Sequence, residues 1–152
     1  MKLVIIDGQG GKMGRTVIEQ LKKNLPDLEI YAIGTNSIAT SAMLKAGADY
    51  GATGENPVIV GARTADIIIG PIGIVIADAL MGEITPSMAT AIGQSPAYKI
   101  LIPVNRDTLT YAEGAYRYCQ IAQNDGKGEF IPFWPRAKRS GKNNMYLKDK
   151  YS

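Results

Sequence analysis

Residues 1–23 read MKLVIIDGQGGKMGRTVIEQLKK, and the fold turns on how this stretch is understood. LVIID (3–7) is almost continuously apolar and β-branched, which predicts a strand buried on both faces. Met13, Val17, Ile18 and Leu21 recur at helical spacing, with Arg15, Glu19, Lys22 and Lys23 on the other side. That pattern predicts an amphipathic helix. Between strand and helix stand Gly8, Gly10, Gly11 and Gly14.

Two registers are open. Gly8-x-Gly10-x-x-x-Gly14 and Gly8-x-x-Gly11-x-x-Gly14 are both variants of a dinucleotide-binding fingerprint, and the strand-to-helix context is the one it requires. In either, the early glycines allow a tight turn and close approach of the backbone to a pyrophosphate. Gly14 lets the helix lie close to the sheet, and the amides at the helix start face the ligand's charge. Gly8, Gln9, Gly10, Gly11, Lys12, Met13 and Gly14 are therefore the first cofactor-binding candidates. A Walker A loop is excluded, because Gly11-Lys12 is followed by Met13 rather than Ser or Thr. Asp7, directly before the glycines, keeps an adenosyl ligand open. The bland alternative is a permissive turn that binds nothing.

Downstream, LEIYAIG (28–34) reads as a second strand, and Thr35-Asn36-Ser37 offers caps for a helix from about 38 to 45. Residues 47–57 are turn-rich, and ENPVIVGARTA carries a short helix with Pro57 in its first turn. ADIIIG (65–70) is a buried strand, PIGIVIADALMGE begins as loop or strand and turns helical near Ile76, and ITPSMATAIGQS is a helix opened by Pro86. YKILIPVN (98–105) is the last parallel strand. Apolar strands alternating with helical stretches indicate an α/β fold, a three-layer domain with a mostly parallel sheet and helices on both faces. The domain is expected over residues 1–123, with a basic arm or tail rich in Pro and Gly over 124–152.

Composition narrows the function. The chain has 152 residues, 45% of them apolar and 20% charged, which suits one domain with a real core; room for little beyond a nucleotide-binding half is expected. Residues 1–125 carry a net charge of −2 and residues 126–152 a net of +5, so basicity belongs to the tail and the body is not expected to bind nucleic acid. There is no histidine and one cysteine, Cys119. A Ser-His-Asp triad, a CxxC pair and an ordinary zinc site are thus excluded, and no metal is expected. The first apolar run is short and lacks a basic leader, and 65–80 is too broken to span a bilayer, so the cytoplasm is the expected compartment, with no membrane contact.

Ligands of open α/β sheets lie outside the carboxyl ends of the strands. Thr35, Asn36 and Ser37 meet that edge, and they include no acid of the kind that accepts bonds from an NAD ribose. Small polar side chains tolerate a 2′-phosphate, which leans toward NADP over NAD. Gly70 and Pro71 are candidates for the nicotinamide side, and Asn105 and Arg106 for contact with an anion. Asp78 and Glu83 read as helix caps or solvent-facing acids in preference to buried or semi-buried ones, and Thr53-Gly54-Glu55-Asn56 as a capping turn. Cys119 reads as a half-buried small side chain, and Tyr111, Tyr116 and Tyr118 as packing or interface residues. FIPFWPRAKR (130–139) interleaves aromatic and basic residues, which suits a nucleic-acid grip or, the preferred reading, an arm laid on a neighbouring subunit.

The segments IDGQGG (6–11), GTNSIATSAMLKAGA (34–48), GATGEN (51–56), ADIIIGPIGI (65–74), GEITP (82–86) and ILIPVNR (100–106) together resemble an uncharacterised family of small bacterial proteins, a domain-of-unknown-function group. The resemblance runs from residue 1 to about 106 and implies a Rossmann-like fold, with no reaction attached. GQGGKMGR (8–15) also resembles the nucleotide-binding start of dihydrodipicolinate reductase. There the corresponding residues, here Gly8, Gly11, Lys12, Met13 and Gly14, hold the NAD(P)H pyrophosphate. That enzyme's substrate domain has no counterpart in this chain.

The expectation is a protein that binds a nucleotide cofactor, NADP or NAD, and works as a homodimer or higher homo-oligomer. It would be either a small oxidoreductase with its pocket between subunits or a non-catalytic nucleotide sensor. Nucleic-acid binding through the tail is the weakest alternative.

Overall fold

A computed structural model describes residues 1–103. Five strands, Leu3–Asp7 (β1), Ile30–Gly34 (β2), Tyr50–Thr53 (β3), Ile67–Pro71 (β4) and Tyr98–Ile102 (β5), alternate with four helices. These are Lys12–Asn24 (α1), Ser37–Lys45 (α2), Glu55–Thr64 (α3) and Pro86–Gln94 (α4); a single 3-10 turn, Ile72–Val75, follows β4. The sheet runs in the order β3-β2-β1-β4-β5, with every neighbouring pair parallel. It is a Rossmann-like α/β sheet. The chain builds outward from β1 to β3, then returns to add β4 and β5 on the other side of β1. The order therefore reverses between β1 and β4, where such sheets open a crevice for ligands.

Side-chain alternation along β1 explains the two cores. Leu3 and Ile5 pack with Val17, Ile18 and Leu21 of α1 and Met43 of α2. Val4 and Ile6 point the opposite way, toward Val58 and Ala62 of α3 and Met88 and Ile92 of α4. Each large side chain buried in this way contributes about 1.5–3 kcal/mol. By the same alternation Asp7 falls on the α1 side, in line with Leu3 and Ile5.

Of the caps offered at 35–37 the structure uses Asn36, and the helix opened by Pro86 has Thr85 as its cap. Asn36 accepts a hydrogen bond from the Ala39 amide at 2.9 Å to open α2, and Thr85 accepts one from Met88 at 3.1 Å to open α4, with Pro86 in its first turn. The turn-rich reading of 47–57 needs correction, because β3 lies inside it. Only four residues long and exposed along most of its length, β3 has no apolar run to announce it and exists by pairing with β2. Asp49 fixes its start: the carboxylate accepts from the Ile30 amide at 2.7 Å and from Lys22 Nζ of α1 at 2.8 Å.

The expected strand 98–105 is described only as far as β5. Asn105, Arg106, Tyr111, Tyr116, Tyr118, Cys119 and the tail lie outside the described residues, as does the boundary expected near 123. Among the described residues no helix is long and apolar enough to cross a membrane.

Candidate functional site

The glycine cluster closes as a tight turn. The Gly11 amide donates to the Gly8 carbonyl at 2.9 Å, and Gln9 sits at φ 50. Gly11 occupies the N-cap position of α1 at φ 64, so this helix has no capping side chain of its own. Asp7 supplies one from beneath. Its carboxylate accepts the amides of Gly8 at 2.8 Å and Gly14 at 2.7 Å, and it is 5% exposed. Burial raises its pKa above the ordinary carboxylate value, the amides of Gly14, Gly8 and Met13 pull it back, and the charge of Glu83 adds to the rise. The result is a buried acid pinned under the helix start.

A second carboxylate reaches the loop from above. Between the 3-10 turn and α4 the chain forms a closed strap. Asp78 N donates to Ile84 O at 2.8 Å, and Ile84 N to Ala79 O at 3.2 Å, while Ile84 itself is fully buried. Leu80, Met81 and Gly82 follow one another in the left-handed region at φ 55, 59 and 87, and Asp78 is there too at 63. Left-handed backbone costs a non-glycine residue roughly 1–2 kcal/mol, so the surroundings must hold it in place. Glu83 does part of the holding. Its Oε2 accepts from the Gln9 amide at 2.8 Å, from Asn36 Nδ2 at 3.0 Å and from the Thr35 hydroxyl through a short hydrogen bond. Burial acts to raise the Glu83 pKa; the donors Thr35, Gln9 and Asn36 outweigh it and hold the group below its usual value. This carboxylate is ionised.

Three stretches therefore converge: the glycine turn, the end of β2 and the strap. Asn36 Nδ2 also donates to the Gln9 carbonyl at 2.9 Å, so Asn36 caps α2 with its oxygen and ties the two loops with its nitrogen. Glu83 is the residue the sequence reading underrated, since a cap or solvent role was expected. Its partners lie 74 and 48 positions away in the chain, and no local pattern reports such a pairing. Asp78 is exposed, as expected.

The other candidates separate. Gly8 lies under the strap: a Cβ there would stand 2.7 Å from Glu83 Oε2 and 2.9 Å from Leu80 Cδ1. Gly14 packs on Met43 and Asp7, and Met13 is half-buried against the α1 core. Lys12 and Ser37 are exposed at the first positions of α1 and α2. Gly70 and Pro71 are buried at the end of β4, where a Cβ on Gly70 would meet the Ile6 carbonyl at 2.5 Å, so this glycine serves strand packing. Glu55 of the predicted capping turn accepts a short hydrogen bond from Thr85.

Gly10 is different. It is exposed, has no left-handed φ, and a Cβ added there meets nothing within 4 Å. Of the amides from Gly8 to Gly14, those of Gly8, Gln9, Gly11, Met13 and Gly14 have partners inside the protein. Those of Gly10 and Lys12 have none among the described residues. A groove of about 640 Å³ runs elsewhere, between α3 and α4, with Arg63 as the sole charge in its lining beside Ser87, Thr90, Gln94 and Ser95. No cluster of three or more metal-ligating acids, histidines or cysteines occurs among the described residues.

The chain belongs to the family described as Domain of unknown function (DUF3842), which it matches over residues 2–117. No curated protein matches it. Among solved structures it is similar to a dodecameric FMN-dependent UbiX-like decarboxylase from Escherichia coli O157:H7, with 16% identity, a TM-score of 0.44, and coverage of 79% of this chain and 76% of that one.

Proposed function

We propose that this DUF3842 member binds a nucleotide cofactor, NAD or NADP, across the glycine turn where the order of the sheet reverses. One observation carries the reading. Gly8, Gly11 and Gly14 are each required by contacts within the protein, whereas nothing in the described fold requires Gly10 to lack a side chain. Its smallness, beside the unused amides of Gly10 and Lys12, suits a ligand whose phosphates lie directly on the backbone. Asp7 does not compete for that position, because it satisfies its amides from the sheet side.

The cofactor's far half would run along the strap, whose exposed Ile76 and Met81, beside Ile72 of the 3-10 turn, are natural ground for a second subunit. A homo-oligomer that covers this edge would complete a pocket one small domain leaves open. An oxidoreductase with its substrate site between subunits, or a nucleotide sensor, would both use such an arrangement.

Calorimetric titration of the full chain with NADH, NADPH, ATP and S-adenosylmethionine tests the proposal, alongside the Gly10→Val variant. Micromolar binding of a nicotinamide nucleotide is expected, weakened at least about tenfold in the variant, whose thermal melt should match that of the parent. Failure of all four ligands to bind would overturn the reading. Binding that survives Gly10→Val unchanged would move the site away from the turn.

A further inference from the structure

We infer that Glu83 is the specificity residue of this nucleotide site: it reads a free ribose diol and rejects a ribose 2′-phosphate. The inference rests on the nucleotide reading above and deepens it. It also reverses the lean toward NADP that the end of β2 suggests when the sequence is read alone.

The two oxygens of the Glu83 carboxylate have different surroundings. All three donors, the Gln9 amide, the Thr35 hydroxyl and Asn36 Nδ2, converge on Oε2. Oε1 has no hydrogen-bond partner among the described residues. No buried side-chain oxygen there lacks a partner, so Oε1 is reached by solvent. A carboxylate held by three bonds on one oxygen, with the other presented, is a preorganised acceptor. It suits a ligand group that donates, and a hydroxyl is the donor a nucleotide brings. A phosphate ester brings only acceptors and negative charge.

Position supplies the rest. Dinucleotide sheets place an acid at the end of the second strand to accept from the ribose hydroxyls. In this chain β2 ends at Gly34 and is followed by Thr35 and Asn36, with no acid. Glu83 fills the vacancy from the other side of the switch point, delivered by the connection between β4 and α4 onto Thr35 and Asn36 themselves. The strained strap gives this delivery its geometry, since the three left-handed residues Leu80, Met81 and Gly82 immediately precede Glu83.

A phosphate would have to displace Glu83 from three hydrogen bonds and leave an ionised carboxylate close to its own charge.

The test titrates the full-length protein with NAD+ and NADP+, and with ADP, 2′-deoxy-ADP and adenosine 2′,5′-bisphosphate as probes of the adenosine half. The parent protein is expected to prefer NAD+ over NADP+, and ADP over both analogues, by about tenfold to a hundredfold, the value of a hydrogen bond to a charged acceptor. In Glu83→Gln the amide oxygen can keep the three internal donors while the amide nitrogen replaces Oε1. The preference for NAD+ should then vanish or invert toward NADP+. Equal affinities in the parent, or an unchanged ratio in Glu83→Gln, would overturn this inference and leave the nucleotide reading standing. Binding of none of the five ligands to the parent would overturn both. The comparison among ligands on the parent protein does not depend on whether the variant folds.

Discussion

Two carboxylates grip the same glycine turn from opposite sides, and their contrast separates structure from function. Asp7 lies beneath, almost wholly buried, with its oxygens spent on the amides of Gly8 and Gly14. Glu83 lies above, half-buried, with three donors on one oxygen and the other left to solvent. The inner acid does for α1 what a capping serine or asparagine does elsewhere, at a position where Gly11 cannot. The outer acid gives the loop a ready acceptor. Even their protonation runs in opposite directions, since burial raises the first and hydrogen bonding lowers the second.

The contrast breaks most visibly on the inner side. Gly11→Ala places a Cβ 2.7 Å from the Ala39 Cα and 2.8 Å from its carbonyl oxygen, at a φ of 64. Both neighbours are backbone, so α1 and α2 must part, and a loss of roughly 3 kcal/mol or more is expected in urea denaturation. A loss below about 0.5 kcal/mol would mean the turn is not locked as described.

Asp7→Ala should come next. It leaves the amides of Gly8, Met13 and Gly14 without their acceptor, two of them in the first turn of a helix with no other cap. The expected cost is roughly 2–4 kcal/mol. If instead this variant kept its stability and lost only nucleotide binding, the division between inner and outer acid would be wrong.

Acidity sharpens the comparison. A carboxylate whose folded pKa is raised contributes stability that is complete below its ordinary value and is lost as pH climbs through the folded value. Asp7 is that case. Glu83, whose folded pKa is lowered, contributes above its ordinary value and loses that contribution as pH falls through the folded one. Urea midpoints followed from acid to neutral pH should therefore lose opposite features in two variants: Asp7→Asn removes the decline on raising pH, and Glu83→Gln the decline on lowering it. Parallel profiles for the two would refute the assignment.

The smallest effect belongs to Gly10→Ala. With open space around the added Cβ, stability should change by less than about 0.5 kcal/mol. A clear loss would show that Gly10 is another packing glycine and would remove the observation on which the proposed function stands.

Much of the molecule was present in local pattern. The unbroken run LVIID marked β1 as a strand covered on both faces, and Val17, Ile18 and Leu21 marked the buried stripe of α1. Asn36 and Pro86 announced the starts of α2 and α4, because a helix start is set within a few residues of itself. Short range is also why β3 was missed: a strand of four largely exposed residues borrows its conformation from β2, and its own sequence resembles a turn.

The site divides along the same line. Local sequence determined the strand, the turn, the helix and the glycine cluster between them, since hydrophobic period and backbone sterics act over a few residues. Of the residues expected to face a ligand, Gln9 and Asn36 meet, Gly70 and Pro71 are buried at the end of β4, and Asn105 and Arg106 lie outside the described residues. Tertiary structure alone decided which glycines serve packing, that Asp7 caps α1 from below, and that an acid is present at the end of β2. That acid comes from 48 positions beyond Thr35, carried over the sheet by α3, β4 and the strap. No periodicity encodes such a meeting: it follows from the order in which the strands pair, which depends on how the whole apolar surface of the chain is buried at once.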